Sequence, residues 1–285
     1  MRPCASGRVV NRPRWCRPRW TSLLRVLRRE LSGLDGTWPP GTGSVVAFSM
    51  ACAIRLRSAV ALLGGFPVLA GVDLDVAEGE IVLLQGPNGA GKTSLLRACA
   101  GLIPIVSGTV DVLGHDLVAD RRSVRRKIGL LGHSTSLYDD LTVEDNVNFA
   151  VRAAGGSPAT VGPALERLGL GGRQRRVAVS RLSAGQRRRT ALAVLVAREP
   201  ALWLLDEPHA GLDAEHRDLL DTLIRDVTGR GASVVLASHE RERAAPLAAR
   251  ILAMSGGLVI GGGVSGPVED RAAMPEQVPE TAHVA

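Results

Sequence analysis

One short stretch constrains the fold of this chain more than any other. Residues 86–93 read Gly-Pro-Asn-Gly-Ala-Gly-Lys-Thr, after the largely apolar stretch 80–85 and before a helix-forming stretch over about 92–100. Glycines allow successive backbone N–H groups to point inward, and a helix N-terminus adds the positive end of its dipole. The order of strand, glycine-rich turn and helix therefore predicts a phosphate-binding loop at the edge of an α/β sheet.

The last residues of this loop indicate which phosphate compound it binds. The spacing G-x-x-x-x-G-K-[ST] is that of the P-loop in nucleoside triphosphatases. Lys92 is expected to reach the β- and γ-phosphates, and the Thr93 hydroxyl is expected to ligate Mg²⁺. An ordinary glycine-rich turn needs neither residue at these offsets. The nucleotide-binding residues predicted from the motif are Gly86, Pro87, Asn88, Gly89, Ala90, Gly91, Lys92, Thr93 and Ser94.

A second apolar segment ends in two adjacent acids. Residues 201–208 read Ala-Leu-Trp-Leu-Leu-Asp-Glu-Pro. Because ligands bind at the carboxyl ends of parallel strands, both acids are expected beside the phosphates. Asp206 suits the Mg²⁺ shell, and Glu207 is placed to orient the attacking water or to take its proton. An acidic strand end alone is often a solvated loop start, but the preceding P-loop favours a hydrolytic site.

The stretch between these two motifs carries a helix start. Residues 181–189 read Arg-Leu-Ser-Ala-Gly-Gln-Arg-Arg-Arg, in which Ser183 and Gln186 have the spacing of a capping box. The N-terminus of the helix that follows would present unpaired N–H groups to an anion. Taken alone, the pattern is better explained as a simple capped helix.

These motifs together resemble the ATP-binding subunits of ATP-binding-cassette (ABC) transporters. The stretch around Ser183 is similar to the family's LSGGQ signature, with Ala184 replacing a glycine, and residues 210–213 are similar to its D-loop. His239, after a buried strand, resembles the switch histidine that contacts the γ-phosphate, although a lone histidine at a strand end is more often structural. The resemblance covers about residues 52–262. It gives Lys92, Glu207 and His239 as the catalytic residues.

The resemblance implies a fold, cofactors and partners. The fold is α/β, a P-loop NTPase of the ABC type with a RecA-like core and a small helical subdomain over about 134–180. The cofactors are ATP and Mg²⁺. ATP on one subunit is closed off by Ser183, Gly185 and Gln186 of a second nucleotide-binding domain, and the expected assembly is a homodimer. A separate integral membrane subunit supplies the transport path, and the helical subdomain docks onto it at the cytoplasmic face of a bacterial cell membrane.

Two positions depart from the family pattern. Residues 128–134 read Ile-Gly-Leu-Leu-Gly-His-Ser, which places His133 where the family usually has glutamine. His133 is kept as a nucleotide-site residue because an imidazole can still meet Mg²⁺ or water, with a charge that depends on pH. The aromatic residue that commonly stacks on adenine is missing: Leu63 falls near its place, and Phe66 is the nearest ring. A strict preference for ATP over GTP is therefore not predicted.

Small variations in the motifs narrow the subfamily. Gly-His at 132–133, the Leu-Ser-Ala-Gly-Gln signature and the segment Leu-Trp-Leu-Leu-Asp-Glu-Pro together resemble the CcmA subfamily, the ATPase subunits of the haem exporter in cytochrome c maturation. ATPases of drug or polysaccharide exporters stay open as alternatives. A soluble ABC ATPase acting on ribosomes or DNA is disfavoured because the chain has one cassette, no heptad runs and no cysteine cluster.

The charge of the chain argues against a nucleic-acid partner. Nine arginines against two acids in residues 1–49 account for the entire net charge of +7, so residues 50–285 are neutral. Residues 1–49 are interpreted as a disordered extension or a start placed too early; a basic amphipathic helix over 21–31 that binds a membrane surface is the alternative. The ATPase domain is assigned to 50–265, and 266–285 to a flexible tail.

Hydrophobic patterning predicts a mostly parallel sheet covered by helices on both faces. The predicted strands are 52–58, 68–75, 80–85, 128–132, 201–205 and 232–237, with a hairpin-like pair over 250–261. The predicted helices are 92–100, 143–170 with a break at 155–158, 183–198 and 214–228.

Overall fold

The computed structural model describes residues 52–264 of the chain, with side chains up to residue 261. The interpretations of residues 1–49, including the helix over 21–31, and of the tail 266–285 lie outside the described residues. Within them, no helix is both long enough and apolar enough to cross a bilayer.

A six-stranded sheet forms the centre of the described domain. Its order is β10-β9-β3-β8-β7-β6; β10 runs antiparallel to β9, and the other neighbouring strands are parallel. The sequence predicted this mostly parallel sheet correctly. The strands are β3 (Ile81–Gln85), β6 (Ile128–Leu131), β7 (Leu202–Asp206), β8 (Ser233–Ala237), β9 (Arg250–Ser255) and β10 (Leu258–Val264).

The helices follow the predicted pattern, with one refinement. The break predicted at 155–158 is present, because Gly155 takes a left-handed conformation with φ 82° and ends the first helix. The refinement is that the second helix ends at Arg167 and not at 170. The helices are α1 (Lys92–Cys99), α2 (Val143–Ala154), α3 (Val161–Arg167), α4 (Ala184–Arg198), α5 (Ala214–Gly229) and the single turn α6 (Arg241–Ala244).

A second sheet of four antiparallel strands was largely missed from the sequence. Its order is β2-β1-β4-β5, with β1 (Cys52–Leu63), β2 (Phe66–Ala77), β4 (Ile105–Val112) and β5 (His115–Asp116). The strands predicted over 52–58 and 68–75 are too short, and β4 and β5 were not predicted. The reason is that β1 continues through an irregular position: Ser58 has φ 45°, and the register with both neighbours shifts there.

Both faces of the central sheet are buried, each in a different core. Alternate residues of β3 illustrate this: Val82 and Leu84 pack with α1 and the antiparallel sheet, whereas Ile81 and Leu83 pack with the helices on the other side. β7 and β8 divide their side chains in the same way. This burial confirms the predicted covering of both faces. It also explains why these strands are almost continuously apolar.

Candidate nucleotide site

Three loops at the carboxyl ends of β3, β7 and β8 form the candidate site. Residues 86–91 connect β3 to α1, Glu207 follows β7, and His239 lies two residues after β8. Because these strands are parallel neighbours, their ends lie at one edge of the sheet. The ends of β3 and β7 thus bring together the P-loop motif and the two acids, which lie more than a hundred residues apart in the chain.

The glycines of the first loop are required by its backbone. Gly86, Gly89 and Gly91 have φ values of 151°, 79° and 103°, which side-chain-bearing residues rarely adopt. A Cβ at Gly86 would lie 2.2 Å from the carbonyl oxygen of Met254, so the loop passes directly against the end of β9. The N–H of Gly257 also donates to the carbonyl of Ala90 at 3.0 Å. The turn between β9 and β10 therefore braces the loop.

Lys92 and Thr93 begin α1 with their side chains turned into the site. The buried ammonium of Lys92 donates to the carbonyls of Gly86 at 2.7 Å and Pro87 at 3.1 Å. The hydroxyl of Thr93 donates to Oδ2 of Asp206 at 2.8 Å. A hydroxyl and a carboxylate thus meet across the two motifs, and both are oxygen donors of the kind that Mg²⁺ prefers.

Glu207 has an unusual backbone conformation. Its φ is 46°, in the left-handed region that a residue with a Cβ normally avoids. Its N–H donates to the carbonyl of Ala237 at 2.9 Å, and its Oε2 accepts from the N–H of His239 at 3.2 Å. The buried Oε1 accepts no hydrogen bond from the described residues, and the imidazole Nε2 of His239 lies 3.5 Å from it. One carboxylate oxygen is thus held in place while the other keeps its acceptor capacity.

These side chains line a cleft of about 560 Å³. Pro67, Val68, Gly256 and Gly257 also line it, and none of these four was picked out from the sequence. The sequence-predicted residues that line the cleft are Asn88, Gly89, Ala90, Gly91, Lys92, Thr93, Ser94, His133, Asp206, Glu207 and His239; Gly86 and Pro87 contribute carbonyls behind it.

Comparisons with known proteins match this geometry. A family model described as ABC transporter matches residues 69–210. The chain is 41% identical over 182 residues to the cytochrome c biogenesis ATP-binding export protein CcmA of Cupriavidus pinatubonensis, covering 62% of this chain and 78% of that protein. It is 36% identical over 231 residues to the sulfate/thiosulfate import ATP-binding protein CysA 2 of Rhizobium meliloti, covering 78% of this chain and 62% of that one.

A solved structure agrees with these relatives. It is an ATP-binding cassette determined as a dimer in a post-hydrolysis state bound to ADP and Pi. The superposition has a TM-score of 0.67 at 25% identity and covers 74% of this chain and 98% of the cassette. This chain belongs to the ATP-binding subunits of ABC transporters. ATP hydrolysis is its activity, with ATP and Mg²⁺ as its cofactors, as the sequence predicted.

The ABC signature lies outside the cleft of its own chain. Ser183, Gly185 and Gln186 are not among the residues that line the cleft, and Ser183 is exposed. The predicted capping box is present: Oγ of Ser183 accepts from the N–H of Gln186 at 3.2 Å, and Oε1 of Gln186 accepts from the N–H of Ser183 at 3.0 Å. The cap fixes the start of α4 with its first turn facing outward.

Residues 210–213, which resemble the D-loop of the family, adjoin the signature. A Cβ at Gly185 would lie 3.2 Å from the carbonyl oxygen of Gly211. Asp213 caps α5 by accepting from the backbone N–H of His216 at 2.9 Å, and it also accepts from that imidazole at 2.6 Å. The hydrogen bond from the backbone N–H of His216 lowers the pKa of Asp213, and the hydrogen bond from its imidazole lowers it further. The signature and this D-loop-like segment thus lie side by side.

Arg188, two residues after the signature, was not predicted from the sequence as a residue that supports the site. It is 5% exposed, and its guanidinium donates to backbone carbonyls behind the cleft. Burial lowers its pKa, an effect that the nearby charges of Asp206 and Glu207 oppose. A signal was available: Arg188 lies four and seven residues before the buried Leu192 and Leu195, on the apolar face of α4.

The region expected to meet the nucleotide base is aliphatic. Pro67 and Val68 line the cleft, whereas the ring of Phe66 is 77% exposed and does not. Leu63, at the end of β1, is also exposed and lies outside the cleft lining. An aliphatic wall packs against a base through apolar contact rather than ring stacking.

Proposed function

We propose that this chain hydrolyses ATP in the cleft between its P-loop and Glu207 to power a separate integral membrane subunit. The observation that carries the proposal is the 2.8 Å contact between the Thr93 hydroxyl and the Asp206 carboxylate. Mg²⁺ usually keeps several waters and takes only one or two protein oxygens beside the phosphates. The two adjacent oxygen donors of Thr93 and Asp206 fit that mode of binding. Residues 52–264 contain no cluster of three or more acidic, histidine or cysteine ligands.

The residue roles follow from the geometry of the cleft. The loop N–H groups and Lys92 hold the terminal phosphates, and Thr93 and Asp206 hold Mg²⁺, which supplies neutralising charge at the phosphates. Glu207 orients the attacking water and takes its proton, while the backbone N–H of His239 holds its Oε2. The His239 imidazole, about half exposed in the cleft, contacts the γ-phosphate. His133 lies at the same cleft wall and meets Mg²⁺ or its water.

The exposed signature favours a dimer as the working form. Ser183 and its capped helix start present N–H groups outward, away from the cleft of their own chain. An anion-binding helix start without a ligand in its own chain fits the phosphates held by a second copy. The related cassette described above is a dimer, which supports the same arrangement.

A second surface fits the membrane subunit. A groove of about 250 Å³ lies between the segment after β6 and helices α2 and α4. Tyr138 and Phe149 stand half exposed at this groove, with ring centroids 5.2 Å apart and edge-on at 84°. The buried Asn146 fixes the backbone of Tyr138 by accepting from its N–H at 2.8 Å and donating to its carbonyl at 3.0 Å. Rigid, half-exposed aromatic rings are typical anchors of protein interfaces.

The transported substrate that we propose is haem, in cytochrome c biogenesis. The proposal rests on Gly132-His133, the Leu-Ser-Ala-Gly-Gln signature and the 41% identity to CcmA. Import of an inorganic anion is the second candidate, because CysA 2 matches a longer part of this chain at 36% identity. In either case, the chain is placed at the cytoplasmic face of the membrane through its partner.

Two experiments test these proposals. The chain is first coexpressed with a tagged haem-exporter membrane subunit; copurification is expected, and Tyr138→Ala with Phe149→Ala should abolish it, whereas Phe66→Ala should not. The chain is then introduced into a bacterium that lacks CcmA, with Glu207→Gln as the inactive control. Restored holocytochrome c is expected with the parent chain only. Failure there, together with restored growth on sulfate in a strain lacking CysA, would replace haem export by anion import.

A further inference from the structure

A single buried guanidinium connects three segments behind the cleft. Arg188 lies on α4, five residues after Ser183, and forms no salt bridge with the described residues. Its charge is compensated by hydrogen bonds to peptide carbonyls and by the nearby charges of Asp206 and Glu207. Burying a charge is costly unless it is hydrogen-bonded, and these contacts offset that cost.

The carbonyls that accept from Arg188 belong to the ends of two strands. Nη2 donates to the carbonyls of Asp206 at 3.1 Å and Glu207 at 2.5 Å, and Nε donates to that of Pro208 at 3.4 Å. Nη1 donates to the carbonyl of Gly132 at 2.7 Å. Three consecutive peptides after β7, and the peptide before His133, are thus held by one side chain.

These contacts bear directly on the conformation of Glu207. With φ at 46°, its backbone is in a region that persists only when surrounding groups hold it. Its N–H is fixed by the carbonyl of Ala237 from β8, and its carbonyl is fixed by Arg188 from α4. The peptide that carries the carboxylate is therefore clamped from both sides, and its side chain is directed into the cleft.

We propose that Arg188 is a positioning residue for ATP hydrolysis, which acts by holding the Glu207 peptide in its left-handed conformation. The inference rests on the hydrolytic role proposed above for Glu207. Arg188 itself does not line the cleft, so nucleotide binding does not depend on it. Because α4 also begins at the signature, the same rigid helix links the surface offered to a second copy with the peptide of Glu207.

The chain offers a matched control on the same helix. Arg198, at the other end of α4, also donates to backbone carbonyls, those of Arg125, Arg126 and Ile128, at 3.1–3.5 Å. Burial lowers its pKa too. These carbonyls lie at the start of β6, whereas the cleft lies at the ends of the strands. The two arginines therefore share a structural role, and only Arg188 touches the hydrolytic segment.

The test compares Arg188→Gln with Arg198→Gln in the full chain without the membrane subunit, because Arg198 lines the groove that is proposed to dock that subunit. We expect Arg188→Gln to lower kcat by about 10- to 100-fold, the scale of a misplaced reacting group, with ATP affinity changed less than about threefold. Arg198→Gln should lower the melting temperature comparably and leave kcat within about twofold. An unchanged kcat in Arg188→Gln, or an equal loss in both variants, would overturn the inference.

A double variant separates positioning from general stability. If Arg188 acts through Glu207, Arg188→Gln should slow single-turnover hydrolysis in the parent chain but add less than about twofold in a Glu207→Gln background. If the losses from Arg188→Gln and Glu207→Gln multiply in the double variant, the inference is overturned. Normal hydrolysis by Glu207→Gln alone would instead defeat the proposed role of Glu207. Should Arg188→Gln fail to fold, Arg188→Lys replaces it in both comparisons; it keeps the charge but not the fork of donors, and an unchanged kcat overturns the inference.

Discussion

The cleft and the signature surface differ in how complete each is within one chain. In the cleft, Lys92, Thr93, Asp206 and Glu207 are brought together by strand ends and have partners within the same chain. At the signature surface, the capping box of Ser183 and Gln186 satisfies the helix start, yet this exposed turn lies away from that cleft. One chain therefore supplies the groups for metal and water, and the proposed closure over the phosphates is left to a second copy.

The largest effect is expected from removing the carboxylate of Glu207 in the cleft. Glu207→Gln keeps the shape of the side chain but cannot take a proton, so hydrolysis should fall by about 10²- to 10⁴-fold, the usual contribution of a general base. ATP binding should stay, since the phosphates are held by the loop and Lys92. Phosphate release in a single turnover and equilibrium nucleotide binding measure the two quantities. Hydrolysis at the parent rate would show that the cleft works without this carboxylate.

An intermediate effect is expected from a charge on the signature side. Aspartate and asparagine both cap helices well, so Ser183→Asp and Ser183→Asn should keep α4 intact. Only the aspartate places a negative charge against phosphates held by a second copy, and hydrolysis should fall by about tenfold or more in Ser183→Asp alone. Steady-state ATPase assays with the membrane subunit measure this. Equal rates in the two variants would mean that the signature meets no phosphate.

Mixing two defective chains sharpens the same comparison. A Lys92→Met chain has a damaged cleft, and a Ser183→Asp chain has a damaged signature surface. A mixed dimer pairs the intact cleft of one with the intact signature of the other, so activity should partly return. Mixtures that stay as inactive as the separate chains would contradict a site shared between copies.

A smaller effect is expected at His133. His133→Gln introduces the residue that the family usually has, so the rate should stay within about threefold. Steady-state ATPase assays of the two proteins test this. A loss of tenfold or more in His133→Gln would show that the cleft depends on the imidazole itself.

The smallest effect is expected at the base-binding wall. Phe66 is exposed and lies outside the cleft lining, so Phe66→Ala should change the KM for ATP by less than about twofold. The parent chain should also accept GTP within about tenfold of ATP, because Pro67 and Val68 offer no hydrogen-bonding side chain to read the base. A rise in KM of tenfold or more in the variant would assign base stacking to Phe66.

The sequence predicted those parts of the molecule that short patterns determine. β3, β7 and β8 are largely apolar runs that end at Gln85, Asp206 and Ala237, and their order placed the site at one edge of the sheet. The capping box at Ser183 is equally local, because both of its hydrogen bonds join residues three apart. Local signals of this kind survive folding with little change.

The parts that were missed depend on contacts between distant residues. β4 contains Ser107, Gly108 and Thr109, which mask its strand character, and Gly108 is fixed by Ser58 of β1, whose carbonyl oxygen would lie 2.3 Å from a Cβ there. Arg188 acquires its role from carbonyls 18 to 56 residues away in the chain. Such partners are known only once the strands and helices have been placed.

The central claim is most directly tested with the two lysines of this chain. Lys92 lies in the P-loop and Lys127 is exposed before β6, and no other lysine occurs in the sequence. Binding and hydrolysis of Mg-ATP are measured for Lys92→Met and Lys127→Met beside the parent protein, each with the membrane subunit. The account predicts that Lys92→Met loses hydrolysis and most of its affinity, while Lys127→Met matches the parent. Undiminished hydrolysis by Lys92→Met would contradict the account.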